Sequence, residues 1–131
     1  MKGFSINLEK ETLANDNFRK VLYTAKQSQL VLMSLQAGEE IGAEVHDDHD
    51  QFFRVEAGTG KAIIDGNEYT LEDGISVTVP AGADHNVINT GDEPLKLYTI
   101  YSPPEHADGV LHATKAAAEA DDEHFDGKTS E

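Results

Sequence analysis

No cysteine occurs among the 131 residues, which excludes disulfides, thiolate metal sites and cysteine nucleophiles. Basic residues are scarce as well. Ten Lys and Arg stand against 25 Asp and Glu, for a formal net charge of −15. That balance excludes nucleic acid as a partner, because phosphates would be repelled rather than neutralised. It excludes an anionic membrane surface for the same reason. No apolar run approaches the roughly 18 residues of a membrane helix. The first residues, MKGFSINLEK, contain no apolar stretch of signal-peptide length, so a cytoplasmic protein is expected.

What remains is ordinary for a soluble globular chain: 38% hydrophobic and 7% aromatic residues. The length fits one domain with a core that needs no staples. The acid is unevenly spread. Residues 105–131 carry eight Asp or Glu against two Lys, the mark of a solvated tail.

Most of the chain reads as short strands cut by turn signals. LVLMSLQ (30–36) stops at Ala37-Gly38, and QFFRVEAG (51–58) runs into Gly58-Thr59-Gly60. KAIID (61–65) and EYTLE (68–72) flank Gly66-Asn67, a hairpin signal. ISVTV (75–79) ends at Pro80-Ala81-Gly82, HNVIN (85–89) leads into TGDEP, and LKLYTIYS (95–102) stops at Pro103-Pro104. Such spacing predicts an all-β sandwich or closed barrel. LKLYTIYS is apolar on both faces, so one face is expected to meet the interior. The other would meet a second layer, the N-terminal segment or a second subunit. A short helix or turn is expected around Glu9–Leu13, and ATKAAAEAD (113–121) is helix-prone from its alanines. The final DDEHFDGKTSE reads as disordered or loosely attached. These signals divide the chain into a barrel with its N-terminal segment, 1–104, and an acidic helix or tail, 105–131.

EVHDDHDQFF (44–53) concentrates charge just before two aromatics. Residues two apart in a strand share a face, so Glu44 and His46 can project together while Val45 faces away. DDHD would then turn, and the next strand would bring Gln51 back beside them. By itself the segment is also what a solvated acidic turn looks like. A second segment, GISVTVPAGADHNVIN (74–89), delivers a strand to a Pro-x-Gly corner followed at once by His85.

Together these segments resemble the cupin family. Its second motif is Gly, five residues, Pro-x-Gly, two residues, His, three residues, Asn, and 74–89 match every fixed position. Its first motif is Gly, five residues, His-x-His, three or four residues, Glu, six residues, Gly. The spacing from Gly38 to Gly58 fits, but Glu44 stands where the first His is expected and Gln51 where the Glu is expected. The resemblance implies a cupin-type double-stranded β-helix (jelly-roll) barrel. It implies metal ligands at Glu44, His46, Gln51 and His85, holding a divalent ion such as Fe, Mn, Zn, Ni or Co. One carboxylate is kept but moved, and Gln51 offers a neutral oxygen.

The remaining side chains have plain expectations. His49 falls on the turn, outside the motif, and is expected as a mobile surface residue. His106, His112 and His124 lie beyond the barrel pattern and are expected to have no catalytic part. Arg54 is expected in an ion pair or a subunit contact, Asn89 in locking a turn, and Tyr98 and Tyr101 in packing. Gly58-Thr59-Gly60 lacks the Lys-Ser/Thr of a phosphate loop, and no Lys/Arg phosphate clamp stands out. The chain resembles most the small cupins grouped with mannose-6-phosphate isomerase. That implies an isomerase-like enzyme on an oxygen-rich small molecule such as a sugar derivative, and a homodimer. The same family leaves open an Fe(II)-dependent dioxygenase and a non-enzymatic binding or sensor domain, since fold does not fix reaction. No catalytic base is identified.

Overall fold

A computed structural model describes residues 1–131. It begins with helix α1 (Leu8–Ala14), capped by the Asn7 side chain, which accepts a hydrogen bond from the Lys10 amide. Ten strands follow: β1 (Arg19–Thr24), β2 (Gln29–Leu35), β3 (Glu44–Val45), β4 (Asp50–Ala57), β5 (Gly60–Ile64), β6 (Asn67–Leu71), β7 (Ser76–Val79), β8 (Asp84–Asn89), β9 (Leu95–Ser102) and β10 (Leu111–His112). Helix α2 (Lys115–Ala120) starts at Thr114, whose hydroxyl accepts from the Ala117 amide. No helix is long and apolar enough to cross a membrane.

Two antiparallel sheets make the barrel, in the orders β10-β1-β2-β9-β4-β7 and β3-β8-β5-β6. This is the all-β jelly roll that the sequence leads one to expect. Strand β9 shows how the residues build it. Leu95, Leu97, Thr99 and Tyr101 are buried, while Lys96, Tyr98 and Ile100 between them are only half-buried. Helix α1 lies against β9 and β4, so the N-terminal segment supplies a second layer on the outer face. Inside, Val31, Met33, Phe53, Val55 and Leu97 of the larger sheet join Ala62 and Val87 of the smaller one in a single cluster. Each large apolar side chain there contributes about 1.5–3 kcal/mol on burial.

Strand β4 carries a bulge between Val55 and Ala57. It explains why the successive residues Val55 and Glu56 are both buried. Arg54 pairs with the Glu56 carboxylate, the ion pair expected of it. Asn89 locks its turn: its amide donates to the carbonyls of Leu35 and Glu93, and its oxygen accepts from the Gly91 amide. Gly58 and Gly60 do more than permit a turn. A Cβ on Gly60 would lie 2.4 Å from the Ile88 carbonyl oxygen, and one on Gly58 2.6 Å from that of Pro94. Backbone therefore crosses backbone at this corner with no room for a side chain.

Two sequence expectations need revision. Strands β1 and β10 extend the larger sheet beyond the pattern read over 30–102, because Arg19 and Lys20 hide the alternation at the start of β1. The acidic tail is not loose. The Phe125 amide donates to the Glu105 carbonyl and the Ser130 amide to the Thr24 carbonyl, each at 2.9 Å. The Ala107 amide donates to Glu123 Oε2 at 2.7 Å. Acidic side chains here accept bonds from backbone amides, so their charge fastens the segment instead of dispersing it.

Candidate metal centre

Strand pairing brings the two sequence segments together. Glu44 lies opposite His85 across β3 and β8. The Gly82 amide of the Pro-x-Gly corner donates to the His46 carbonyl at 2.8 Å, and the Ala81 amide donates to Asp50 Oδ1 at 2.9 Å. The acidic turn is thus moored to the second motif at both ends. Gln51 on β4 stands opposite Tyr101 on β9 and Val79 on β7, facing inward. Its amide nitrogen donates to Thr99 Oγ1 at 3.0 Å, which orients the side chain.

His46 is the centre of the group. Its Nε2 lies 2.9 Å from Glu44 Oε2 and its Nδ1 3.9 Å from Glu105 Oε2. His49 Nε2 lies 2.6 Å from the same Glu105 oxygen. The His46 ring is 4.6 Å from that of His49 and 5.2 Å from that of His85, centre to centre. Tyr101 meets both His46 and His49 edge-on at about 6 Å. His85 Nδ1 is bonded to the Ala83 carbonyl at 3.1 Å, which leaves Nε2 as its remaining donor atom.

Three polar atoms in this group are shielded from solvent without a directed hydrogen bond: Nε2 of His46, Nε2 of His49 and Oε1 of Gln51. The carboxylates beside the two nitrogens are near in distance but out of line. Leaving such atoms buried and unpaired costs about 1–3 kcal/mol each, and native proteins avoid it unless something else satisfies them. The donor atoms of His46, His49 and Glu105 all lie within 4.8 Å of one another. Two imidazoles and a carboxylate at that spacing fit a divalent cation.

The electrostatics are those of a coupled pair. Burial alone would raise the Glu44 pKa, but His46 at 2.9 Å and the charges of His85 and Arg19 together hold it below the usual value. His46 is raised by the Glu44 carboxylate 2.9 Å away, against the opposing effect of burial, with help from the Glu105 and Asp48 charges. Burial pushes the Tyr101 hydroxyl well above the usual phenol value, so it keeps its proton. His106 is lowered to about 4, first by burial and then by the Arg19 charge, against the pull of Glu123.

The sequence-derived residues Glu44, His46, Gln51 and His85 all face this end of the barrel. One histidine departs from expectation. His49 is 8% exposed, not a surface residue, because the turn folds it inward onto Glu105. His106 and His112 are buried too; His106 bonds Glu123 and Tyr101, and His112 bonds Asp121. Glu105 was missed altogether. Its signal was the Pro103-Pro104 stop, which does not end the barrel but turns the chain back across its mouth. His124 is exposed, as expected.

An antiparallel jelly roll with histidines and carboxylates gathered at one end defines a class of small-molecule barrel proteins. Residues 31–101 match the cupin domain, and the chain belongs to that family. It is 46% identical to the uncharacterised protein YrkC of Bacillus subtilis (strain 168), over 91% of this chain and 67% of that one. The crystal structure of BH2720 from Bacillus halodurans superposes with a TM-score of 0.90 at 44% identity, covering 92% of this chain and 96% of that one. A mannose-1-phosphate guanylyltransferase of Escherichia coli (strain K12) is 32% identical over 56% of this chain, but that match spans only 16% of the transferase.

Proposed function

We propose that this cupin is a metal-dependent enzyme acting on a small oxygen-rich substrate such as a sugar derivative, with a divalent transition metal at the barrel mouth. The carrying observation is the gathering of His46, His49 and Glu105 with ligand atoms within 4.8 Å of one another, beside imidazole nitrogens shielded from solvent. These three are the primary ligands in this reading. Gln51 and His85 are further donors around the same ion, and Glu44, the fourth motif position, lies beside His46. The similarity of half the chain to a sugar-phosphate transferase supports the substrate class.

Such an ion, when bound, polarises an oxygen of the substrate. The chain's own groups do the rest. Two carboxylates, Glu44 and Glu105, flank His46, and a set of two histidines and one carboxylate uses only one of them. The other is left to take or give a proton. Tyr101 keeps its proton; its hydroxyl bonds His106 and its ring packs edge-on against both histidines. A second reading, an Fe(II)-dependent oxygenase, is favoured by the same ligand set, which leaves positions open for oxygen and substrate. Oxygen uptake by Fe(II)-loaded protein separates the two. Pairing into a homodimer belongs to the proposal and is read by sedimentation.

The test is metal analysis of tag-free protein. Near-stoichiometric metal is expected in the parent and none in His46→Ala, with the fold retained by circular dichroism. Loss in His49→Ala and Glu105→Gln identifies the primary set; loss in His85→Ala alone shifts the site to the motif residues. A folded, metal-free parent after growth and loading with each candidate ion rejects the reading.

A further inference from the structure

A positive charge lies on the inner face of this strongly acidic protein. Arg19 pairs with Met33 on β2 and with His112 on β10. Opposed residues of antiparallel strands share a face, and Met33 belongs to the core, so Arg19 points into the barrel. The chain has two arginines. Arg54 is matched by Glu56, whereas Arg19 has no carboxylate within ion-pair distance although 25 Asp and Glu are present.

Neighbours hold the guanidinium without neutralising it. The Phe18 ring stacks against it at 5.4 Å, and Nη1 donates to His112 Nδ1 at 3.3 Å. His112 in turn donates from Nε2 to Asp121 Oδ2 at 2.8 Å, which fixes its tautomer with Nδ1 as acceptor. The Arg19 Nε is buried and has no partner. A fixed guanidinium with no carboxylate against it and a free Nε is a recognition group for a planar or tetrahedral oxyanion.

We propose that Arg19 binds an oxyanion of the substrate, carboxylate or phosphate, so that the natural ligand is an acidic oxygen-rich compound rather than a neutral sugar. The second anchor, at the metal, rests on the function proposed above; the arginine's own binding does not. Arg19 is then the clamp that the sequence pattern lacks, hidden because it comes from β1 outside both motifs.

Two arginines give two Nε–Hε signals in a nitrogen–proton correlation spectrum, with Arg54 as the internal control. The full chain, metal-free and Zn(II)-loaded, is titrated with malonate, inorganic phosphate and, at matched ionic strength, sodium chloride. A saturable shift of the Arg19 signal with malonate or phosphate, and not with chloride, is expected; the more effective anion identifies the group. Arg19→Met should weaken that anion's binding roughly tenfold or more, the size of a lost charge-assisted bond, with Zn(II) stoichiometry unchanged. Arg19→Lys, which keeps the charge, serves if the Met variant does not fold, and should weaken binding by losing the fork geometry. An Arg19 signal that ignores both anions, or follows chloride equally, overturns the proposal even if Zn(II) binds. A responsive Arg19 in a protein that binds no Zn(II) sinks only the metal reading.

Discussion

Acidification should loosen the metal-free protein before its carboxylates titrate, through one buried histidine. His106 sits between the barrel and the tail. Its Nδ1 donates to Glu123 Oε1 at 2.5 Å and its Nε2 accepts from the Tyr101 hydroxyl at 3.3 Å. Burial and the Arg19 charge lower its pKa from 6.5 to about 4. The unfolded chain therefore binds a proton that the folded one refuses between those values, and stability falls as pH falls through that window. At about 1.36 kcal/mol per unit, going from roughly pH 7 to 5.2 removes about 1.5 kcal/mol. The interval stays above the isoelectric point of about 4.6. With an unfolding entropy of about 2.1 cal/mol/K per residue, that is a melting-point drop of about 5 °C.

His46 works the other way. Its raised pKa gives stability that is full below its unfolded value and is lost as pH rises through its folded value, so it partly offsets the trend near neutrality. The clean measure is a difference. Calorimetric melting of chelator-treated parent and His106→Gln across the same pH values isolates the His106 contribution. The parent should lose about 5 °C more than the variant. Equal slopes, or a parent that gains on the variant as pH falls, would show His106 charged in the folded state and refute its neutral role beneath Tyr101.

Gln51→Glu should retain metal and bind it more tightly, because a charge replaces a dipole at the position of the unpaired Oε1; weaker binding by competitive chelation would give Gln51 another part. Gly60→Ala should destabilise by about 1–3 kcal/mol or more, since the new Cβ meets the Ile88 carbonyl at 2.4 Å, and denaturant unfolding reads the loss. Glu123→Gln should free the tail, because two of its bonds, to His106 and to the Ala107 amide, depend on that carboxylate. Faster amide exchange at Ala107 and Phe125 is the expected sign, and unchanged exchange would mean that the backbone bonds alone suffice.

Periodicity carried the barrel well where a strand is long and one-sided. In β9, alternate burial of Leu95, Leu97, Thr99 and Tyr101 follows directly from a period of two. The same logic failed at β1, whose inward residue is Arg19, a charge where a pattern search expects an apolar side chain. The centre divides in the same way. Glu44, His46 and His85 are legible because their positions follow from local geometry: two residues on a strand, and one just past a Pro-x-Gly corner. Glu105 and the inward turn of His49 were not, because each depends on the other. His49 is buried only if the chain after Pro104 comes back to meet it, and nothing within residues 44–53 encodes that return. The tail was misread by the same route. Its net charge of −6 over residues 105–131 describes a solvated segment only if its carboxylates lack donors, yet His106, His112 and the Ala107 amide provide them. Composition gives the sum of the charges, and a fold is decided by their pairing, which no sum reveals.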